Sequence, residues 1–192
     1  MLKPNPQQLK TLGQREEALA AGLEAAEIYR QLAQERPDTH RPDLASNLHN
    51  LSLFLRELGR VEEALAKATE AVGIYRQLPD EHRPDLADSL HSLSVILENL
   101  RRLEDALAPA IEAVQIYRQL AQEQPDAHRP DLADSLHNLS IDLGNLRRQE
   151  EALAAALEAL EIRQELAQAW PDGYQDDVAE SVRFLSWLQR DT

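Results

Sequence analysis

The chain contains no cysteine, so it can form no disulfide and offers no thiolate for catalysis or metal binding. Aromatic residues are also scarce, at 4% of 192 residues, although hydrophobic types together make up 43%. The core must therefore be built mainly from leucine and alanine, and both residues favour helices. The composition predicts a helical protein.

Long apolar runs and basic charge are lacking too. No apolar stretch approaches the ~20 residues that a membrane-spanning helix needs. The formal net charge of −14 disfavours nucleic-acid and anionic membrane partners, because both require a basic face. The first ten residues, MLKPNPQQLK, lack the apolar core of a signal peptide. We therefore expect a cytoplasmic protein with no nucleic-acid and no membrane partner.

One decapeptide recurs along the chain. HRPDLADSLH stands at 82–91 and again at 128–137, and a close copy, HRPDLASNLH, stands at 40–49. These copies predict a tandem array, which we divide into a partial first unit, three whole units and a terminal capping or edge helix. The ranges are 1–39, 40–81, 82–127, 128–173 and 174–192.

The unit at 40–81 is shorter than the others because the letters AQER are missing from its end. Four residues are about one helical turn, and a proline cannot continue a helix interior. We therefore expect the helix that ends near Leu78, before Pro79, to be one turn shorter than its counterparts.

Each whole unit predicts two helices. Pro42 and Asp43 are typical of a helix start, and Gly59 is typical of a helix end. Between them, leucines follow the spacing of one helix face: Leu44, Leu48, Leu51, Leu55 and Leu58. The second helix presents small residues and a tyrosine: Ala64, Ala68, Ala71 and Tyr75, with Leu78 at its end.

The segment LHNLSLFLRELGRVEEALAKATEA at 48–71 resembles a tetratricopeptide repeat (TPR). The matching positions are Leu48, Leu51, Ser52, Gly59, Ala64 and Ala71. The units exceed the usual length of about 34 residues, and are similar to the longer kinesin-light-chain variety found in bacterial proteins. The resemblance implies an all-α fold, an α-solenoid of tandem helix–turn–helix repeats that forms a right-handed superhelix.

The same resemblance implies a scaffold or sensor module that binds a protein or peptide on a concave face, with no enzymatic activity, cofactor or metal. Two other functions stay open. One is a self-assembling structural repeat module. The other is the sensor arm of a larger signalling protein, which recognises a signalling peptide or a small ligand.

In the first helix of each whole unit, three polar positions and one apolar position lie off the leucine stripe. The resemblance places these four positions on the concave face, where they form rows across the units. They are Ser46, His49, Asn50 and Leu53; Asp88, His91, Ser92 and Val95; and Asp134, His137, Asn138 and Ile141. The apolar row indicates either wider core contact or a peptide-binding stripe. Such a face suits a partner with basic groups or apolar anchors.

The ends of the array depart from the pattern. Pro4 and Pro6 predict that the first helix of the partial unit is cut short. Phe184 and Trp187 stand where internal units have smaller residues, which favours an interface and a homo-oligomer through terminal helices. Arg163 in place of a tyrosine favours a cap instead.

Catalysis is disfavoured by the repetition itself, because an active site is singular. Metal binding is disfavoured because equivalent positions on neighbouring helices lie roughly 8–10 Å apart, so three histidines cannot share one ion. Ser52, Ser94 and Ser140 occupy the small packing position of the repeat. We expect the other histidine row to lie in the loops between units, at His40, His82 and His128.

Overall fold

A computed structural model of the chain describes the backbone of residues 6–190 and the side chains of residues 13–190. This part contains eight α-helices, one 3-10 helix and no β-strand, which confirms the all-α array of helix–turn–helix repeats. The α-helices are α1 (Pro6–Glu35), α2 (Pro37–Glu57), α3 (Val61–Tyr75), α4 (Arg83–Asn99), α5 (Leu103–Glu123), α6 (Pro125–Asn145), α7 (Gln149–Ala169) and α8 (Pro171–Leu188).

The even-numbered helices carry the decapeptide or its equivalent and are called A helices here; the odd-numbered ones are called B helices. Helices α1–α3 belong to one compact unit, which ends at His82, and α4–α8 belong to a second, which begins at Arg83. Within each unit every helix packs against the next, and α4 also contacts α6. Each A helix therefore packs against the B helices beside it in its own unit.

Helix α1 is not divided as the sequence suggested. It starts at Pro6 and runs without interruption through Gly13 to Glu35, so the expected short first helix is a continuous extension of a B helix. Proline suits the first helical position, where its missing N–H has no partner to lose. Pro4 lies outside the described residues.

The A helices begin earlier than Pro42 and Asp43 predicted. α2 starts at Pro37, and α6 and α8 likewise start at a proline followed by an aspartate. Pro42 and its equivalent Pro130 lie inside their helices. The histidines at 40 and 128 are consequently helical, so their expected placement in loops was wrong.

The shortened repeat has the predicted effect on α3. This helix has 15 residues and ends at Tyr75, whereas α5 and α7 have 21 each. The difference exceeds one turn, because Leu78 lies beyond the helix. A 3-10 helix, Asp80–His82, follows, and α4 then starts at Arg83, next to Pro84, as the decapeptide predicted.

Three of the A helices, α2, α4 and α6, end in the same kind of cap. Gly59 follows α2 with a φ of 74°, and the next N–H, of Arg60, donates to the Leu55 carbonyl at 2.9 Å, as in a Schellman motif. The same bond closes α4 and α6, but the left-handed residues there are Arg101 (φ 60°) and Arg147 (φ 59°). A side chain in this region costs about 1 kcal/mol, because its Cβ crowds the following carbonyl.

We expect Arg101→Gly and Arg147→Gly each to raise the free energy of unfolding by about 0.5–1 kcal/mol, since glycine adopts a positive φ without that crowding. Gly59→Arg should lower it by a similar amount. Urea denaturation followed by circular dichroism measures all three. A loss of stability in both glycine variants would contradict the strain.

The predicted core faces are buried. Leu44, Leu48, Leu51 and Leu55 are between 0% and 6% exposed, and Ala64, Ala68, Ala71 and Tyr75 between 0% and 5%. Leu58 and Leu78 are only partly buried. In the second unit Leu90 and Leu136 are also almost fully buried, at 0% and 1%, but Leu93 is partly exposed.

Replacing Leu90 with alanine should therefore cost about 2–5 kcal/mol of unfolding free energy, the range for a fully buried leucine. Leu93→Ala should cost less, because part of that side chain already contacts water. Thermal and urea unfolding of the two variants gives the comparison. Equal losses would show that Leu93 contributes as much as a fully buried residue.

Candidate functional site

The predicted site residues lie on the A helices, away from the buried leucine stripe. In the first unit, α2 presents Ser46 and Asn50 as exposed residues and His49 and Leu53 as partly buried ones. The residues of α4, α6 and α8 lie together in the second unit, and their shared surface is called the A face below. Its geometry can be followed from one helix to the next.

His91 links α4 to α6. Its Nδ1 lies 3.2 Å from the Ser135 hydroxyl, and its Nε2 lies 3.3 Å from the Asn138 amide nitrogen. Because an amide nitrogen can only donate, Nε2 accepts this bond, while Nδ1 faces a hydroxyl that can donate or accept. His91 thus joins two neighbouring A helices through hydrogen bonds.

The equivalent His137 meets an aromatic residue of α8 instead. It is 8% exposed, and its ring lies edge-on to Phe184, with 5.3 Å between ring centroids. Phe184 in turn stacks on Trp187 at 5.7 Å. Burial and the charge of Arg163 lower the pKa of His137, which favours the neutral form of its ring. Trp187 itself remains 47% exposed and continues the A face as an apolar surface.

Carboxylates gather at the other end of the A face. The Tyr117 hydroxyl donates to Asp88, and burial together with that carboxylate raises the pKa of Tyr117 above its usual value. Asp134 accepts from Arg163 at 2.8 Å. Burial and the charge of Asp88 raise the pKa of Asp131, while His128, whose Nδ1 lies 3.7 Å from Asp131 Oδ2, opposes that rise. Asp88, Asp131 and Asp134 are called the acidic cluster.

Arg163 replaces the tyrosine of the other repeats and ties α7 to α8. Its side chain is 6% exposed, and Nη1 donates to the Ser181 hydroxyl at 2.7 Å and to the Asp177 carbonyl at 3.4 Å. The partner Asp134 is 64% exposed. One guanidinium therefore offsets one of the three carboxylates, and His128 lies 3.7 Å from a second, Asp131.

A pair of carboxyl groups that no sequence pattern had indicated, Glu98 and Asp142, lies between α4 and α6. Asp142 is 0% exposed, and burial and the charge of Glu98 raise its pKa to about 7. Burial also raises the pKa of Glu98. No donor in the described part of the chain reaches either oxygen of Asp142 or Oε1 of Glu98. The raised pKa values of both groups favour a proton on the pair.

The sequence carries one signal for this pair, an aspartate at a position that is apolar in the other repeats. The residues equivalent to Asp142 are Phe54, Ile96 and Leu188, all of them apolar. Between α6 and α8, the equivalents of Glu98 and Asp142 are Gly144 and Leu188. These two lie close together, because a Cβ on Gly144 would come within 3.2 Å of Leu188. The carboxyl pair thus replaces an apolar contact of the fold.

The pair should make stability depend on pH. The unfolded carboxyls titrate near pH 4, whereas the folded Asp142 titrates at about 7. The pair's contribution is therefore fully present below pH ~4 and is lost as the pH rises to about 7. Asp142→Asn, which can donate to Glu98 at any pH, should gain stability over the native chain across this window, by up to the order of 3 kcal/mol.

Urea unfolding of the native chain and of Asp142→Asn at several pH values between 4 and 8 measures this difference. Asp126→Asn, an exposed change in the first turn of the same helix, is the control. If the two stability curves stay parallel over the whole range, Asp142 is not held in its protonated form.

The three serines of the small packing position are buried, and each donates its hydroxyl to its own helix. Ser52, Ser94 and Ser140 bond to the carbonyls of His49, His91 and His137 at 2.6–2.7 Å. Among side chains 13–190, no three histidine, aspartate or glutamate residues are grouped closely enough to hold a metal ion. Within residues 6–190, no helix combines the length and apolarity needed to cross a membrane.

Two family models, both described as tetratricopeptide repeat, match residues 43–119 and 132–169, which together make up more than half of the chain. The chain belongs to the tetratricopeptide repeat family. No curated protein sequence matches it significantly.

Solved TPR structures resemble the chain in fold. BtubC (BKLC) from P. vanneervenii is 23% identical with a TM-score of 0.68, over 92% of this chain and 66% of that one. The apo form of RapI is 16% identical with a TM-score of 0.69, over 92% and 45%. The chain thus spans less than two thirds of either protein.

The nearly identical TPR-like repeats of a Podosopora anserina protein, assigned as a kinesin light chain, are 21% identical. Their TM-score is 0.56, and the match covers 98% of both chains. These likenesses, all below 25% identity, concern the fold. The expected TPR family with long repeats of the kinesin-light-chain type is confirmed.

Proposed function

We propose that the chain is a cytoplasmic scaffold or sensor whose second unit binds a peptide with basic side chains and apolar anchors on the A face. The observation that carries the proposal is the acidic cluster, which lies on the same helices as an apolar strip. That strip consists of Val95, Ile141, Phe184 and Trp187. The proposed role is binding, without a catalytic step.

Electrostatics favour a basic peptide. The pKa of Asp131 is raised first by its own partial burial and then by repulsion from Asp88. A lysine or arginine of a peptide would relieve that repulsion and gain charge-assisted hydrogen bonds. In the first unit the position equivalent to Asp88 is Ser46. We therefore place the basic side chains at the second unit.

The apolar strip supplies the anchor. Ile141 and Val95 are partly buried, and Trp187 is 47% exposed beside Phe184. Asp134 and Ile141 are seven residues apart on α6, which is about 10 Å along the helix. Three residues of an extended peptide span the same distance. A basic residue followed three positions later by an aliphatic one therefore fits both sites.

The probe is a fluorescein-labelled peptide of about twelve residues with arginine and leucine three positions apart; the same peptide with glutamate for arginine is the negative probe. Asp88→Asn with Asp134→Asn should weaken binding by about 1 kcal/mol, roughly fivefold in Kd, at low salt. Asparagine still accepts from Tyr117 and Arg163, so the fold is kept. The difference should shrink at high salt, because screening already weakens the attraction.

A matched variant, Glu104→Gln with Glu161→Gln, changes the net charge equally at exposed positions of α5 and α7. It should bind like the native chain. Fluorescence anisotropy titrations provide every Kd. Equal affinity of the native chain and the aspartate variant, or equal loss in the matched variant, would rule out the acidic cluster as the binding site.

A further inference from the structure

Helix α8 exposes a face that the other A helices bury. An alanine and a leucine of α2, α4 and α6 lie under the following B helix and are at most 1% exposed: Ala45 and Leu48, Ala87 and Leu90, Ala133 and Leu136. Their equivalents in α8 are Ala179, which is exposed, and Val182, which is 46% exposed. Leu185 is buried at 6%, since α8 still packs on α7.

Helix α1 exposes the complementary face. In α3, α5 and α7 two alanines per helix are fully buried, at 0% exposure: Ala64 and Ala71, Ala106 and Ala113, Ala152 and Ala159. The equivalent Ala18 is exposed, and Ala25 and Tyr29 are only partly buried. Ile28 is 50% exposed, whereas Leu19 and Ala26 are buried at 5% and 2%. The exposed face of α1 is thus equivalent to the face by which α3, α5 and α7 pack against the A helix before them.

We propose that α8 of one copy of this chain packs on α1 of a second copy and so completes a helix pair of the repeat. The two exposed faces are the two halves of one contact, which the chain itself forms between α2 and α3, α4 and α5, and α6 and α7. The occupant is a second copy because each copy carries both halves, in the residue types of the internal contact.

A polar pair supports the same match. Within the second unit the Tyr117 hydroxyl donates to Asp88 across an A–B helix pair. Glu180 of α8 stands in the row of Asp88, and Tyr29 of α1 stands in the row of Tyr117. Docking α8 on α1 in the register of the repeat brings this acid and this tyrosine together. The apolar contact and its polar partner are therefore both reproduced between copies.

The contact is head-to-tail, so each added copy leaves one α1 and one α8 free for further growth. It uses Val182 and, of the A face, only Glu180, which belongs neither to the acidic cluster nor to the apolar strip, so it does not depend on the proposed peptide binding. The net charge of −14 per copy opposes association at low ionic strength, and added salt should favour it.

The test uses analytical ultracentrifugation of the full chain at rising concentration in moderate salt. The native chain should exceed the 21.7 kDa of one copy. Ala18→Arg blocks the α1 half and Val182→Arg blocks the α8 half, so each variant alone should stay at one copy. Mixed together, the two variants should form pairs and nothing larger, because only one intact α1 and one intact α8 remain.

Ala20→Arg is the matched control, since its equivalents Ala66, Ala108 and Ala154 are exposed in every repeat; this variant should associate like the native chain. Circular dichroism should give equal helix content for all variants, because each substitution is at an exposed position. A native chain of one-copy mass at every concentration would overturn the proposal and leave the open faces to a different protein. A mixture that stays at one copy, or a blocked variant that associates as the native chain does, would also overturn it.

Discussion

The core of this protein depends on the packing of A helices on B helices, in which a leucine of α2, α4 and α6 and the alanines of α3, α5 and α7 are buried. Leu48, Leu90 and Leu136 are at most 1% exposed, and the alanines that recur opposite them are equally buried. Small residues let the helix axes approach, so a core with almost no aromatic residues still excludes water. Because each contact joins neighbouring helices only, the fold grows by addition, and its outermost faces stay open wherever the next helix is missing.

This arrangement occupies only one side of each A helix and leaves the other side free to vary. The free sides of α4, α6 and α8 meet along seams whose chemistry changes from one repeat to the next. His91 bonds to Ser135 and Asn138 in one seam, while His137 packs on Phe184 in the next. Equivalent histidines thus make hydrogen bonds in one seam and an aromatic contact in the other, because the neighbouring helix presents different side chains to each.

The carboxyl pair of Glu98 and Asp142 shows how far a seam can depart from the core rule. Asp142 takes the place of a buried aliphatic residue, and the low polarity of that place, with Glu98 beside it, keeps a proton on the pair up to about pH 7. The acidic cluster differs, because Tyr117 and Arg163 donate to two of its carboxylates. The carboxyl pair therefore depends on a proton, whereas two carboxylates of the acidic cluster accept from donors on B helices.

The sequence by itself determined the helices, the repeat and most of the buried faces, because leucine and alanine spacing at 3.6 residues per turn places these residues on one face of each helix. The TPR family followed from the resemblance of the repeat to known members. The sequence predicted the shortened α3 from four missing letters, but it misplaced the starts of α2 and α6, since two prolines compete there and the earlier one begins the helix. Only the tertiary structure decided which polar residues meet. The pairings of Asp134 with Arg163 and of Glu98 with Asp142 join different helices, and local periodicity fixes a side chain's direction on its own helix but not the partner it meets across a seam.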